Sequence, residues 1–225
     1  MSGGSVHAPH RRAVDSNIVT HQNTEQFISG FAVEPDAARQ ARERAAQSDI
    51  PTLAPEAASV LTVLARAVGA KAVVEVGTGV GVSGLALLAG MDPEGVLTSV
   101  DIEQEHQTLA RRAFTDLDIP GRRFRLIAGA ALEVLPKLTD GGYDIVFIDG
   151  DKLEYGECVE EALRLLRPGG VLVLNDALWE GKVADDTNEE DETIVIREAL
   201  YALQEREDLD TTLLPVGGGL LLAVR

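Results

Sequence analysis

A chain of 225 residues, 45% of them hydrophobic, can bury one sizeable core, and a single domain is the usual outcome at this length. Aromatics are only 4% while Ala, Val, Leu and Gly dominate, which favours helices on a buried parallel sheet over an all-β sandwich. The formal charge of -17 argues against a nucleic-acid backbone or an anionic membrane as partner, and the single Cys158 rules out an internal disulfide.

Residues 1–15 read as a flexible tail, and the polar start around Arg11 and Arg12 lacks the apolar stretch of an export signal. No apolar run approaches the ~18 residues that span a bilayer, and no Cys/His cluster has zinc spacing. A cytoplasmic protein without structural zinc is expected. Within one expected domain over residues 16–225, residues 16–50 read as N-terminal helices: Asn17 to Ser29 and Pro35 to Ser48, the second opening on a helix-starting proline.

A further helix is predicted over Pro55 to Val68, with Val60, Leu61, Leu64 and Val68 on one face and Gly69 as its stop. Strands are then predicted at Ala72–Val76, Val96–Val100, Phe124–Ala128, Asp144–Ile148 and Val171–Leu174. Helices alternate with them near Ser83–Ala89, Glu103–Asp116, Ala131–Leu138 and Tyr155–Leu166. A long helix near Glu192–Arg206 precedes two last apolar runs, Thr211–Val216 and Leu220–Val224, whose Gly217-Gly218-Gly219 link fits only an antiparallel hairpin. Residues 51–225 therefore read as a Rossmann-like, doubly wound α/β core: a mostly parallel seven-stranded sheet ending in that hairpin. Between Asp140 and Glu192 sixteen acidic residues stand against four basic ones, and runs such as Glu189 to Glu192 read as solvated loop and helix start.

In such a sheet the ligand lies beyond the carboxyl ends of the strands, where the crossover direction reverses. After the first strand, Gly77, Gly79 and Gly81 open the backbone to a ligand, and the helix behind them presents free N–H groups. Gly79, Gly81 and Gly84 also satisfy the dinucleotide fingerprint, with Asp101 at the distance of a ribose-binding acid. Against a nicotinamide cofactor stand the early start of the run at Gly77, Glu75 inside the strand end, and the lack of a Tyr-x-x-x-Lys pair after Tyr143, Tyr155 or Tyr201. Asp149 and Asp151 follow the fourth strand, and Asn175 and Asp176 end the fifth. Oxygen donors of this kind, converging on one crevice, suit a hard cation such as Mg²⁺ or Ca²⁺.

Four runs, EVGTGVGVSG from Glu75, SVDIE from Ser99, IDGDK from Ile148 and LNDALWEGK from Leu174, resemble in order and spacing the cation-dependent O-methyltransferases, the group of catechol and caffeoyl coenzyme A O-methyltransferases. The resemblance runs from about Pro51 to the C-terminus. It implies S-adenosylmethionine as cofactor: Glu75, Gly77, Thr78 and Ser83 around its methionine part, Asp101 on the ribose, Ile102 and Ala131 beside the adenine, and Leu53 in a covering loop. It implies Asp149 at the meeting point of cofactor, substrate and metal, Lys152 as general base, Asp149, Asn175 and Asp176 as ligands of a divalent cation, and Asp151 and Trp179 facing the acceptor. The implied reaction is in-line methyl transfer to a small hydroxylated molecule, best an aromatic vicinal diol, in a homodimer built through the segments before Pro51.

Three departures from the family pattern are visible. Asn175-Asp176 reverses the usual Asp-Asn, Gly217-Gly218-Gly219 replaces Gly-Asp-Gly, and Ala130 stands where a polar residue is common. They motivate a rival, a cation-independent methyltransferase of the same fold acting on a different acceptor. A nicotinamide oxidoreductase and an acidic, non-catalytic interaction protein are the remaining alternatives.

Overall fold

Strands rich in Val, Leu and Ile, with few polar alternations, need cover on both faces. The computed structural model describes residues 23–24 and 26–225; the expected tail over residues 1–15 and the opening of the first amphipathic segment lie outside the described residues. Five strands run parallel: β1 (Ala72–Val76), β2 (Val96–Asp101), β3 (Phe124–Ala128), β4 (Tyr143–Ile148) and β5 (Leu166–Leu174). The closing hairpin of β6 (Asp210–Leu214) and β7 (Leu220–Val224) adds on antiparallel, giving the order β3-β2-β1-β4-β5-β7-β6. This is the Rossmann-like architecture expected.

Alternate residues of each strand serve opposite faces. Val73, Ile145, Phe147, Val171 and Val173 pack on one side with α1 (Asp36–Ala46), α2 (Pro55–Ala67), α3 (Val82–Gly90) and α4 (Gln104–Thr115). Val74, Val76, Val146, Ile148, Leu172 and Leu174 pack on the other with α5 (Ala131–Val134), α6 (Tyr155–Leu165) and α7 (Asp191–Gln204).

Three elements differ from the sequence expectation, each for a local reason. β5 begins at Leu166 rather than Val171, because the chain pairs with Tyr143, slips register over Pro168-Gly169-Gly170, and pairs again from Ile145. The helix expected over Ala131–Leu138 turns into a 3₁₀ segment at Leu135–Lys137, where Pro136 offers no N–H to an α-helix. β6 stops at Leu214, since Val216 N–H turns back onto the Leu214 carbonyl (2.9 Å). Among the described residues no helix is long and apolar enough to cross a membrane.

Candidate active site

Hydrogen bonding between the parallel strands continues one residue past their ends. Gly77 N–H donates to Val100 O (2.9 Å), Asp149 N–H to Val76 O (2.8 Å) and Asn175 N–H to Ile148 O (3.0 Å). The residues after β1, β2, β4 and β5 are thereby held in one row along the crevice where the sheet order reverses. Gly77 is a tight point, for a Cβ there would collide with the Asp149 carbonyl, and its φ is +91°. The row opens into a cleft of about 830 Å³, large enough for a nucleotide-sized ligand and a small second molecule.

At the β1–β2 side, Gly79 and Gly81 also take positive φ, and Gly81 precedes α3 as an N-cap without a side chain to offer, which leaves the first N–H groups of the helix open. Asp101 is fixed by the loop it serves: its Oδ2 accepts from Gly79 N–H (2.9 Å) and its Oδ1 from Glu103 N–H (2.8 Å), with His106 Nδ1 at 3.4 Å. Ile102 is 70% exposed on the cleft wall, while Ala131 and Leu53 present buried apolar surface to the same space.

Glu75 lies fully buried behind this wall. Its Oε2 accepts from Ser99 Oγ (2.5 Å), which is itself paired with Thr78 Oγ1 (2.7 Å), and its Oε1 is enclosed without a hydrogen-bond partner. Burial pushes the carboxyl up to about 7, with Asp149 and Asp101 adding to the rise and the hydroxyls of Ser83 and Ser99 opposing it.

The β4–β5 side gathers the other candidates. Asn175 Nδ2 donates to Asp149 Oδ1 (2.9 Å), and Lys152 Nζ stands 3.5 Å from that oxygen and 3.1 Å from Asp176 Oδ2. Lys152 also donates to the Gly150 carbonyl (3.3 Å) and to Tyr155 OH (2.7 Å), while Tyr155 donates to the Asn175 carbonyl (2.9 Å). Asp149 is pushed up by desolvation, against Lys152 and Asn175, and burial beside Asp149 and Asp176 holds Tyr155 well above the ordinary phenol. Trp179 lines the cleft and stacks over Lys152 with Nζ 5.7 Å from the ring centre, whereas Asp151 is exposed and caps the turn through Leu153 N–H (3.0 Å).

The reversed pair is accommodated by the backbone. Asp176 adopts a left-handed φ of +51°, so the chain leaves the extended form there and residues 175 and 176 both reach the crevice. Gly218 completes the arrangement, because a side chain at that position would collide with Asp176 Oδ1. Asn175 Oδ1 is buried without a partner. Among the described residues no group of three or more His, Cys, Asp or Glu is placed to hold a metal; the set here is two carboxylates and one amide.

All the residues singled out from the sequence thus line or back one cleft. Sequence reasoning passed over Ser99, Tyr155 and the cleft-lining Glu192. Tyr155 follows Lys152 at helical spacing, a signal that could have been used; the pairing of Ser99 with Glu75 needs the strand register.

Comparison with known proteins agrees with this geometry. The O-methyltransferase family matches residues 30–225. A relative from Mycobacterium sp. (strain JLS), provisionally named an O-methyltransferase, is 47% identical over 208 residues, covering 92% of each chain. The O-methyltransferase TomG of Streptomyces achromogenes, solved with S-adenosylmethionine, superposes with a TM-score of 0.80 at 27% identity, covering 90% of this chain and 95% of its own. An O-methyltransferase of Bacillus cereus in complex with S-adenosylhomocysteine gives 0.81 at 25% identity, over 90% and 96%. Since the family match spans far more than half of the sequence, the chain belongs to the O-methyltransferase family.

Proposed function

We propose that this O-methyltransferase takes its methyl group from S-adenosylmethionine and passes it to a small hydroxylated, catechol-like acceptor, assisted by a divalent cation. The observation that carries the reading is the continuity of one cleft from the glycine loop and Asp101 to Lys152 and Asp176. The residues fit the cofactor: open backbone at Gly77 to Gly81, a fixed acid at the end of β2, and the orphaned Glu75 Oε1 as an acceptor for an amino group. When bound, the cofactor supplies an activated methyl carbon on a sulfonium sulfur.

The chain's own work is alignment and proton removal. The cleft has room for both reactants end to end, and the position of Lys152 beside Tyr155, Asp149 and Asp176 supports a role in which its neutral amine receives the acceptor's hydroxyl proton. Asp149, Asp176 and the unpartnered Asn175 Oδ1 form a donor set for a hard cation such as Mg²⁺ or Ca²⁺, which would fix paired acceptor oxygens and acidify the hydroxyl. Asp151, Glu154 and Glu192 on the same side disfavour an acceptor carrying its own carboxylate.

Chelation tests the cation. With EDTA, methyl transfer to a catechol is expected to collapse and to return with Mg²⁺, Mn²⁺ or Ca²⁺. Activity unchanged by EDTA would favour a cation-independent reading, for which one observation already speaks: the Lys152 ammonium itself stands between Asp149 and Asp176 and offsets part of their charge. Assembly as a homodimer through the segments before Pro51 is supported by the exposed Phe27, Phe31 and Val33, and sedimentation would show it.

A further inference from the structure

A carboxylate inside a parallel sheet is a costly choice, and a hydrophobic residue would pack there at less expense. Glu75 occupies such a position, on β1 directly opposite Ser99 of β2. Both side chains are fully buried, as is that of Thr78 at the turn after β1. When Glu75 is ionised, Ser99 spends its one proton on Oε2, so its oxygen must accept from Thr78. The direction of the chain is therefore set, from Thr78 through Ser99 to Glu75, and it consumes Oε2, leaving Oε1 without a well-formed hydrogen bond and with only the Ser83 hydroxyl acting on the carboxylate besides.

We propose that Ser99, relayed from Thr78, is a positioning residue that holds Glu75 as an oriented anion and reserves Oε1 for the amino group of the bound cofactor. The inference rests on the S-adenosylmethionine reading above and adds to it a residue outside the cleft wall. Burial most of all, and then the Asp149 and Asp101 carboxylates, oppose the ionisation of Glu75, while the Ser83 and Ser99 hydroxyls favour it. Losing the Ser99 hydroxyl leaves Ser83 alone on the favouring side and should shift Glu75 toward its neutral form, in which it no longer attracts a cationic amine.

Calorimetric binding of S-adenosylhomocysteine between pH 5.5 and 8.5 tests this on the full chain. Wild-type affinity is expected to fall as the pH drops through the range near 7. Ser99→Ala should weaken binding roughly five- to tenfold at pH 7, shift the midpoint upward by about one pH unit, and recover toward wild type at pH 8.5. Thr78→Val, close in shape to the native residue, should move the midpoint the same way by less, and Ser99→Thr, which keeps the hydroxyl, should restore both affinity and midpoint. Wild-type affinity and midpoint in Ser99→Ala would overturn the proposal, and so would a loss equal at every pH, which is the mark of a merely structural role. Absence of binding by the wild type at all pH values would overturn the cofactor reading together with it.

Discussion

Two aspartates at opposite ends of β4 are treated in opposite ways. Asp144, at the amino end, accepts from the N–H groups of Lys71 (2.7 Å) and Ala72 (2.9 Å) and from Arg167 Nε (2.7 Å), tying the starts of β1 and β5 together. Desolvation pushes its carboxyl up, but these donors win and hold it below the ordinary aspartate value. Asp149, just past the carboxyl end, also has a cation and an amide as partners, yet there desolvation wins and the group is pushed up. The amino edge of the sheet spends its charges on cohesion. The carboxyl edge keeps charges that are incompletely satisfied, and that residual demand is what a ligand can meet.

The contrast can be broken from either edge. The largest effect is expected at the carboxyl edge: Lys152→Met should lower methyl transfer by roughly 10²–10⁴ while S-adenosylhomocysteine affinity holds. An unaltered pH–rate profile in that variant would return Lys152 to a structural role.

The next effect sharpens the contrast by titration. Glu75 sits at about 7 in the folded protein against 4.5 in an unfolded chain, so between those values the folded state keeps a proton that the unfolded state has lost. Its contribution to stability is therefore intact below pH 4.5 and is lost as pH rises to about 7, a change on the order of 3 kcal/mol. Urea unfolding of the ligand-free protein against Glu75→Gln should show the wild type losing ground over that window; parallel curves would refute it.

The smallest effect belongs to the amino edge. Asp144→Asn should cost about 1–2 kcal/mol, allowing for its partial exposure, and leave activity per folded molecule unchanged. Because its carboxyl is depressed, the wild-type advantage should be present above the unfolded aspartate value and vanish as pH falls through the folded one. Reduced kcat in this variant would show that the two edges are not independent.

Most strands were readable because a parallel strand covered on both faces is an apolar run, and Val73 to Val76 or Ile145 to Ile148 can hardly be anything else. The first half of β5 was hidden by Pro168-Gly169-Gly170, which punctuate a chain in sequence even where it continues in pairing. In the site, Asp101, Asp149 and Asn175 were legible from position, since a residue just past a parallel strand faces the crevice, whereas Lys152 was singled out only by the resemblance. The relay onto Glu75 was not, because which residue of β2 lies opposite which residue of β1 is a matter of register. Nor could the sequence show that Asp176 turns inward, which depends on its left-handed backbone.

Asp176 and Gly218 also share one space. A Cβ on residue 218 would lie where the Asp176 carboxylate now stands, so that carboxylate orientation and a side chain at 218 are alternatives. The two positions therefore vary as one unit: a side chain at 218 requires the carboxylate at 176 to turn away, and with it goes the pairing to Lys152.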